Sequence, residues 1–211
     1  MPGPAFTEGD TVSLHPIEEE DYEFIQYGRN HPDVRVPLTD TTIRSSDDVE
    51  EMFEDGNDYH FLLCAAERSE DVEDANGEAA SSAAGGSEER SSSGEAVSST
   101  DDGDDPEPVG VVAFGWMRDN LKIGSLMYWV APEHQGNGYV TEGTELFLDY
   151  AFRECGLHKA NARVNASNGA SAAVLENLGF EREGTRRQES IVDGEWDDMH
   201  IYGLLADEWL N

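Results

Sequence analysis

Apolar and polar positions alternate over Thr11–Ile17, with Val12 and Leu14 on one face, and this pattern predicts a strand. Glu18–Arg29 follows with an acidic first turn ahead of Tyr22, Phe24, Ile25 and Tyr27, as expected of a helix start. Ser45–Phe53 reads as a short helix, with Ser45 or Ser46 capping Val49, Met52 and Phe53, and Tyr59–Ala66 as an apolar strand. Further on, Val109–Met117 and Lys122–Val130 are two strand runs joined by Arg118–Leu121, a hairpin signal. After the turn His134–Gly138, residues Val140, Thr144, Phe147, Leu148, Ala151 and Cys155 recur at helical spacing until Gly156. Lys159–Val164 reads as a strand. Asn168–Leu178 reads as a helix with Asn168 as N-cap and Gly179 just past its end, so that Phe180 packs back on the last turn. Glu183–Val192 and Trp196–Leu205 form a closing hairpin across Asp193-Gly194. The order β α α β β β α β α β β predicts an α+β fold with a mixed, mostly antiparallel sheet of about seven strands and flanking helices.

Residues 68–107 break the pattern. They contain no aromatic residue, two valines, and many Ser, Gly, Asp and Glu. Such a stretch cannot bury enough apolar surface to offset its ordering entropy. It is expected to be a disordered acidic insertion within a single domain spanning 1–211. Loop closure grows only logarithmically with length, so the fold tolerates it.

Composition then narrows the function classes. Asp plus Glu number 46 against 13 Lys plus Arg, a formal charge of −33, and only Lys122 and Lys159 are lysine. A nucleic-acid binder needs a basic face, and so does attachment to an anionic membrane. Neither is expected. The acid runs through every segment, so it resembles the composition of halophilic archaeal proteins in a salt-rich cytoplasm, where charges are screened. An acidic surface that recruits basic partners is the competing reading. No run is long and apolar enough to span a membrane, and Met1–Asp10 lacks a signal-peptide pattern, so a cytoplasmic location is expected. Cys64 and Cys155 both sit in apolar patterns and read as buried free thiols. The histidines and cysteines show no ligand spacing, so no metal site is expected.

The chemistry concentrates in Tyr128–Glu142. A strand ends at Val130, Pro132 directs the exit, and Gln135-Gly136-Asn137-Gly138 leads into a helix. Backbone N–H groups at such a helix start, with the positive end of its dipole, form an anion site that needs no lysine. On spacing alone the segment is equally an ordinary β-to-α connection. It is neither a Walker loop nor a dinucleotide fingerprint.

Gln135-Gly136-Asn137-Gly138-Tyr139-Val140 resembles the acetyl-coenzyme A loop of the GNAT acetyltransferases, Q/R-x-x-G-x-G/A, departing at its sixth position with Val140. Asn168, Ser171, Val174, Gly179, Phe180, Glu183 and Gly184 are similar to the N-x-x-S-x-x-V-x-x-x-x-G-F-x-x-E-G run of the RimJ/RimL-type branch, which acetylates ribosomal proteins. The segment Trp196–Tyr202 resembles that branch's last strand. The resemblance implies an N-acetyltransferase using acetyl-CoA and a primary amine, most simply a protein N-terminal α-amine, in a ternary complex. A small-amine acceptor (polyamine, amino acid or aminoglycoside) and a non-catalytic acyl-CoA-binding module remain open. It also implies parallel strands that splay at Val130, a coenzyme arm pairing with the Val130 backbone, Asn168 reaching that arm, and Ser171 protonating the leaving thiolate. For the base, Glu189, Tyr128, Asp198 and His200 are candidates. The branch can carry a glutamate where this chain has Ser190, one residue from Glu189. The chain is expected to be a monomer or homodimer.

Overall fold

The computed structural model describes residues 2–54, 59–66 and 106–211. The insertion expected at 68–107 lies outside them apart from Pro106 and Glu107. The described residues form one compact unit built on an eight-stranded sheet. In chain order these are β1 (Thr7–Glu8), β2 (Val12–Pro16), α1 (Tyr22–Asn30), α2 (Pro32–Arg35), α3 (Ser46–Glu54), β3 (His60–Ala65), β4 (Pro108–Arg118), β5 (Ile123–Val130), α4 (Tyr139–Arg153), β6 (Lys159–Asn165), α5 (Gly169–Asn177), β7 (Glu181–Val192), β8 (Glu195–Leu205) and α6 (Ala206–Leu210). Spatially the strands run β1-β2-β3-β4-β5-β6-β8-β7, and every neighbouring pair is antiparallel except β5 with β6.

The seven expected strands are present. The eighth is β1, a two-residue strand too short to show a period. Helix α2 was also not expected. His31 caps it by accepting from the Asp33 N–H at 3.2 Å, and Pro32 occupies its first position, where a missing N–H costs nothing.

Both faces of the sheet are buried, and the pleat sorts their residues. Leu63, Val112, Phe114, Leu126 and Val130 point into a core shared with Phe147, Leu148 and Leu175 of α4 and α5. The intervening Leu62, Cys64, Val111, Ala113 and Trp129 point the other way, against Ile25, Val34 and Val49 of the first three helices. Cys64 is buried and unbridged, its thiol pushed up to about 12 by burial. Cys155 is half-buried and also free.

Helix α5 ends as expected. Gly179 has φ +86°, its N–H donates to Glu176 O at 3.1 Å, and the Phe180 N–H donates to Leu175 O at 2.9 Å. This is a Schellman closure, and buried Phe180 seals it. The final hairpin turns on Asp193 and Gly194 at φ +50° and +85°, the positive pair that matches strand twist.

Candidate active site

β5 and β6 pair only at Ile123–Lys159, Gly124–Ala160 and Ser125–Asn161, and then diverge. The opening therefore starts after Ser125, five residues earlier than the expected splay at Val130. On its other side β5 stays paired with β4 through Val130. The Ala131 N–H bonds to Val109 O on β4 at 2.9 Å. Strand alternation therefore turns the N–H groups of Val130 and Tyr128 toward the gap left by β6. The result is a cleft of about 700 Å³ that runs through the sheet.

The turn into α4 stands at one end of this cleft. Gly136 and Gly138 have φ +84° and +85°, and a Cβ at either would meet nothing within 4 Å. Glycine is required there by backbone conformation rather than by crowding. Gly138 is the N-cap of α4 and makes no side-chain cap bond; its carbonyl receives the Thr141 N–H at 2.9 Å. The N–H groups of the first helical residues, Tyr139 and Val140, have no carbonyl within the helix to pair with. Gln135 Nε2 donates to Val130 O at 3.4 Å and Asn137 Nδ2 to His134 O at 3.0 Å, bracing the turn from within. Tyr139 and Val140, the latter the departure from the loop pattern, are half-buried, pack against the core and also line the cleft. The first turn carries one acid, Glu142, and its carboxylate is turned away to accept from the backbone N–H groups of Asp10 and Thr11 and from the Thr11 hydroxyl. An anion thus meets the helix dipole without a facing carboxylate.

At the opposite wall, Asn168 caps α5 by accepting the Ser171 N–H at 3.1 Å. The Tyr128 phenol crosses the opening and donates to the Ser171 carbonyl at 3.2 Å. Both backbone groups of Ser171 are thereby tied down while the residue lines the cleft. Burial pushes the Tyr128 phenol well above its ordinary pKa, so it stays protonated and acts as a clamp rather than a base.

Glu189 is not brought to the cleft. It sits on exposed β7, and its Oε1 accepts from Arg163 at 2.7 Å and Arg186 at 2.8 Å. Both contacts are made by one carboxylate oxygen, and they hold the side chain on the outer face of the hairpin. The strand there is not regular, because register shifts between Arg186 and Ser190 and Gln188 has φ +52°. Ser190 is buried and donates to Asp197 O at 3.2 Å. Asp198 accepts the Gln188 N–H at 2.9 Å, and His200 meets the Tyr202 ring edge-on; neither lines the cleft.

Three lining features were not anticipated. The first is the segment after α2, with Pro37, Leu38 and Thr39 along the cleft. It is anchored by Asp40, which accepts from Arg29 at 2.5 Å and Arg44 at 2.9 Å. Burial alone would raise the Asp40 pKa, but these two arginines and the Thr42 N–H outweigh it and bring it to about 2. The second and third are Arg163 and Asn165, on the face of β6 opposite Ala162 and Val164. The His31-Pro32 pair was the available signal for the first. An arginine or asparagine in a short strand carries none. Among the described residues no group of three or more His, Cys, Asp or Glu could hold a metal ion.

A mixed sheet with one splayed parallel pair, and a glycine turn feeding a helix at its open end, define an acyl-coenzyme-A-type transferase architecture. Residues 11–181 match the family model "Acetyltransferase (GNAT) domain", and the chain belongs to that family. It is similar to the probable N-acetyltransferase YjcK of Bacillus subtilis, 35 % identical over 102 residues, which cover 48 % of this chain and 56 % of the relative. The [Ribosomal protein uS5]-alanine N-acetyltransferase of Escherichia coli is 29 % identical over 109 residues, covering 51 % of this chain and 56 % of that protein. The chain thus matches about half the length of these relatives. Its fold is shared by a spermidine N-acetyltransferase from Vibrio cholerae solved with CoA and spermine, at TM-score 0.73 and 20 % identity over 95 % of this chain and 98 % of that one.

Proposed function

We propose that the chain moves an acetyl group from acetyl-CoA to a protein N-terminal α-amine, by direct attack within a ternary complex, as in the RimJ/RimL-type branch. The unpaired edge of β5 carries this reading. It offers the Tyr128 and Val130 N–H groups to an extended, amide-bearing arm, in the manner of strand addition. The N-terminus of α4 lies at its end for the pyrophosphate. The acceptor comes from the side of Pro37, Leu38 and Arg163.

In the reaction the amine nitrogen attacks the thioester carbon. A β5 N–H faces the developing oxyanion. As the carbon–sulfur bond breaks, Ser171 gives its hydroxyl proton to the thiolate, and the proton lost by the amine returns through water to the Ser171 oxygen, restoring the hydroxyl. The choice of an α-amine rests on charge. Asp33 is the one carboxylate among the described residues lining the cleft, and its side chain is 69 % exposed. Arg163 is the cation on the same wall. A polyamine or lysine titrates near ~10.4 and needs a strong base or carboxylates, whereas an α-amine near ~7.7–8.0 is partly neutral already. The setting is a salt-rich cytoplasm, supported by acid spread over all segments.

Thiol release from acetyl-CoA across a panel of amines tests this. Peptides with a free N-terminus should turn over, and the same peptides with a blocked N-terminus should not. Spermidine turning over faster than any peptide overturns the acceptor class. No thiol release with any amine, alongside tight acetyl-CoA binding, points instead to a non-catalytic binding module.

A further inference from the structure

Asn165 ends β6 at the wall of the cleft and is only 2 % exposed. Its Nδ2 donates to the Pro37 carbonyl at 3.1 Å. Its Oδ1 is shut off from solvent and has no hydrogen-bond partner among the described residues. The orientation of the amide is set by that carbonyl: turned over, two oxygens would face each other. A buried amide oxygen without a partner is rare and destabilising, so its retention points to a partner that arrives from outside. The neighbours are Met199, paired with Asn165 across β6 and β8, and the Pro37–Thr39 segment. Thr39 is held at φ +55°, a strained conformation for a β-branched residue, and marks that segment as a constrained lip beside the amide.

We propose that Asn165 is the acceptor-positioning residue: once the arriving primary amine opens the packing that now covers it, its side-chain oxygen accepts one N–H of that amine. The assignment rests on the acetyltransferase reading above and deepens it. A neutral primary amine has two N–H groups and one lone pair. Binding one N–H to a carbonyl oxygen leaves the lone pair free to attack. An uncharged amide also favours the ammonium form less than a carboxylate would. Meanwhile Nδ2 holds the lip against β6, so that the same side chain both orients the amine and shapes its entrance.

The test compares Asn165→Leu, which removes the oxygen, with Asn165→Asp, which restores an acceptor but not the donor to Pro37. Steady-state kinetics use the best peptide acceptor, and calorimetry measures acetyl-CoA binding. In Asn165→Leu the KM for the peptide should rise at least tenfold, with acetyl-CoA affinity unchanged within twofold. Asn165→Asp should recover most of that loss. Equal impairment of both variants means that the side chain merely ties down Pro37, and overturns the assignment. So does a peptide KM within twofold of the parent in Asn165→Leu, or a parallel loss of acetyl-CoA binding. Should the Leu variant not fold, the side-chain amide of Asn165 in the parent is followed by NMR with CoA and peptide bound. Its resonances should shift with peptide, and their indifference overturns the proposal. A parent that acetylates no amine overturns the functional reading itself, and this assignment with it.

Discussion

Two single residues test whether the proposed acetyl-CoA site is more than a simple connection. Gly138 stands at φ +85° with nothing within 4 Å of a would-be Cβ. Gly138→Val therefore meets no clash in the protein, but a β-branched residue in the left-handed region costs roughly 1–2 kcal/mol and pulls the turn toward negative φ. The N–H groups at the start of α4 are then re-aimed. Acetyl-CoA affinity by calorimetry should fall about tenfold or more, equivalent to at least ~1.4 kcal/mol, in a variant that melts like the parent. Unchanged affinity reduces this turn to a link between β5 and α4. Ser171 is the second. Its N–H and carbonyl are engaged by Asn168 and Tyr128, so Ser171→Ala leaves α5 in place and removes only the hydroxyl. With thiolate protonation as its role, kcat should drop at least tenfold while the KM for acetyl-CoA moves little, since the hydroxyl acts in the transition state. A kcat within twofold of the parent assigns the proton to another group, and the protonated Tyr128 phenol, 3.2 Å from the Ser171 carbonyl, is then the next to test.

Among the elements, strands with a clean two-residue period and helices with cap residues were legible in the sequence. The α5 frame of Asn168 and Gly179, and the Asp193-Gly194 turn, appear in the structure in the expected roles. Elements whose existence depends on distant partners were not legible. β1 is two residues held by β2, and the register shift that offsets Glu189 from Ser190 has no local signature beyond Gln188 at φ +52°. For the same reason the glycine turn ahead of α4 could be read from the sequence, while the far wall of the cleft could not: Arg163, Asn165 and Pro37 come together only through β6 and the segment after α2. β3 and β4 offer a test at this scale. Cys64 pairs with Pro108, and the Ala65 N–H bonds to Glu107 O at 2.9 Å, so the chain leaves β3 and re-enters β4 at adjacent positions. Replacing residues 69–105 by a short Gly-Asn turn should preserve the sheet, the KM for acetyl-CoA and the turnover. A shorter loop costs less to close, so melting temperature should hold or rise slightly. Lost turnover with intact melting assigns the excised segment a part in the reaction.

For the whole molecule, charge is the dominant physical fact. There are 46 acidic residues and 13 basic ones, and several of the bases are already engaged by carboxylates: Arg29 and Arg44 on Asp40, Arg153 on Asp149, Lys159 on Glu183, Arg163 and Arg186 on Glu189. The acids outnumber the bases by 33, so most carboxylates have no cation to pair with. In dilute buffer, with a screening length of ~30 Å, they repel across the whole molecule; at 1 M salt it shrinks to ~3 Å and each acts nearly alone. Relief of about 4 kcal/mol of self-repulsion would move the melting temperature of a domain this size by about 10 °C. Thermal melts from 10 mM to 2 M KCl should therefore climb by that order and level off once neighbouring carboxylates are screened. The same field acts on acetyl-CoA, itself an anion, so its KM should fall over the low-salt part of the range while the protein remains folded. An uncharged osmolyte at matched osmolality should not reproduce the fall in KM, because it leaves the charges unscreened. A melting temperature indifferent to KCl overturns the salt-rich setting and favours an acidic surface built to meet a basic partner.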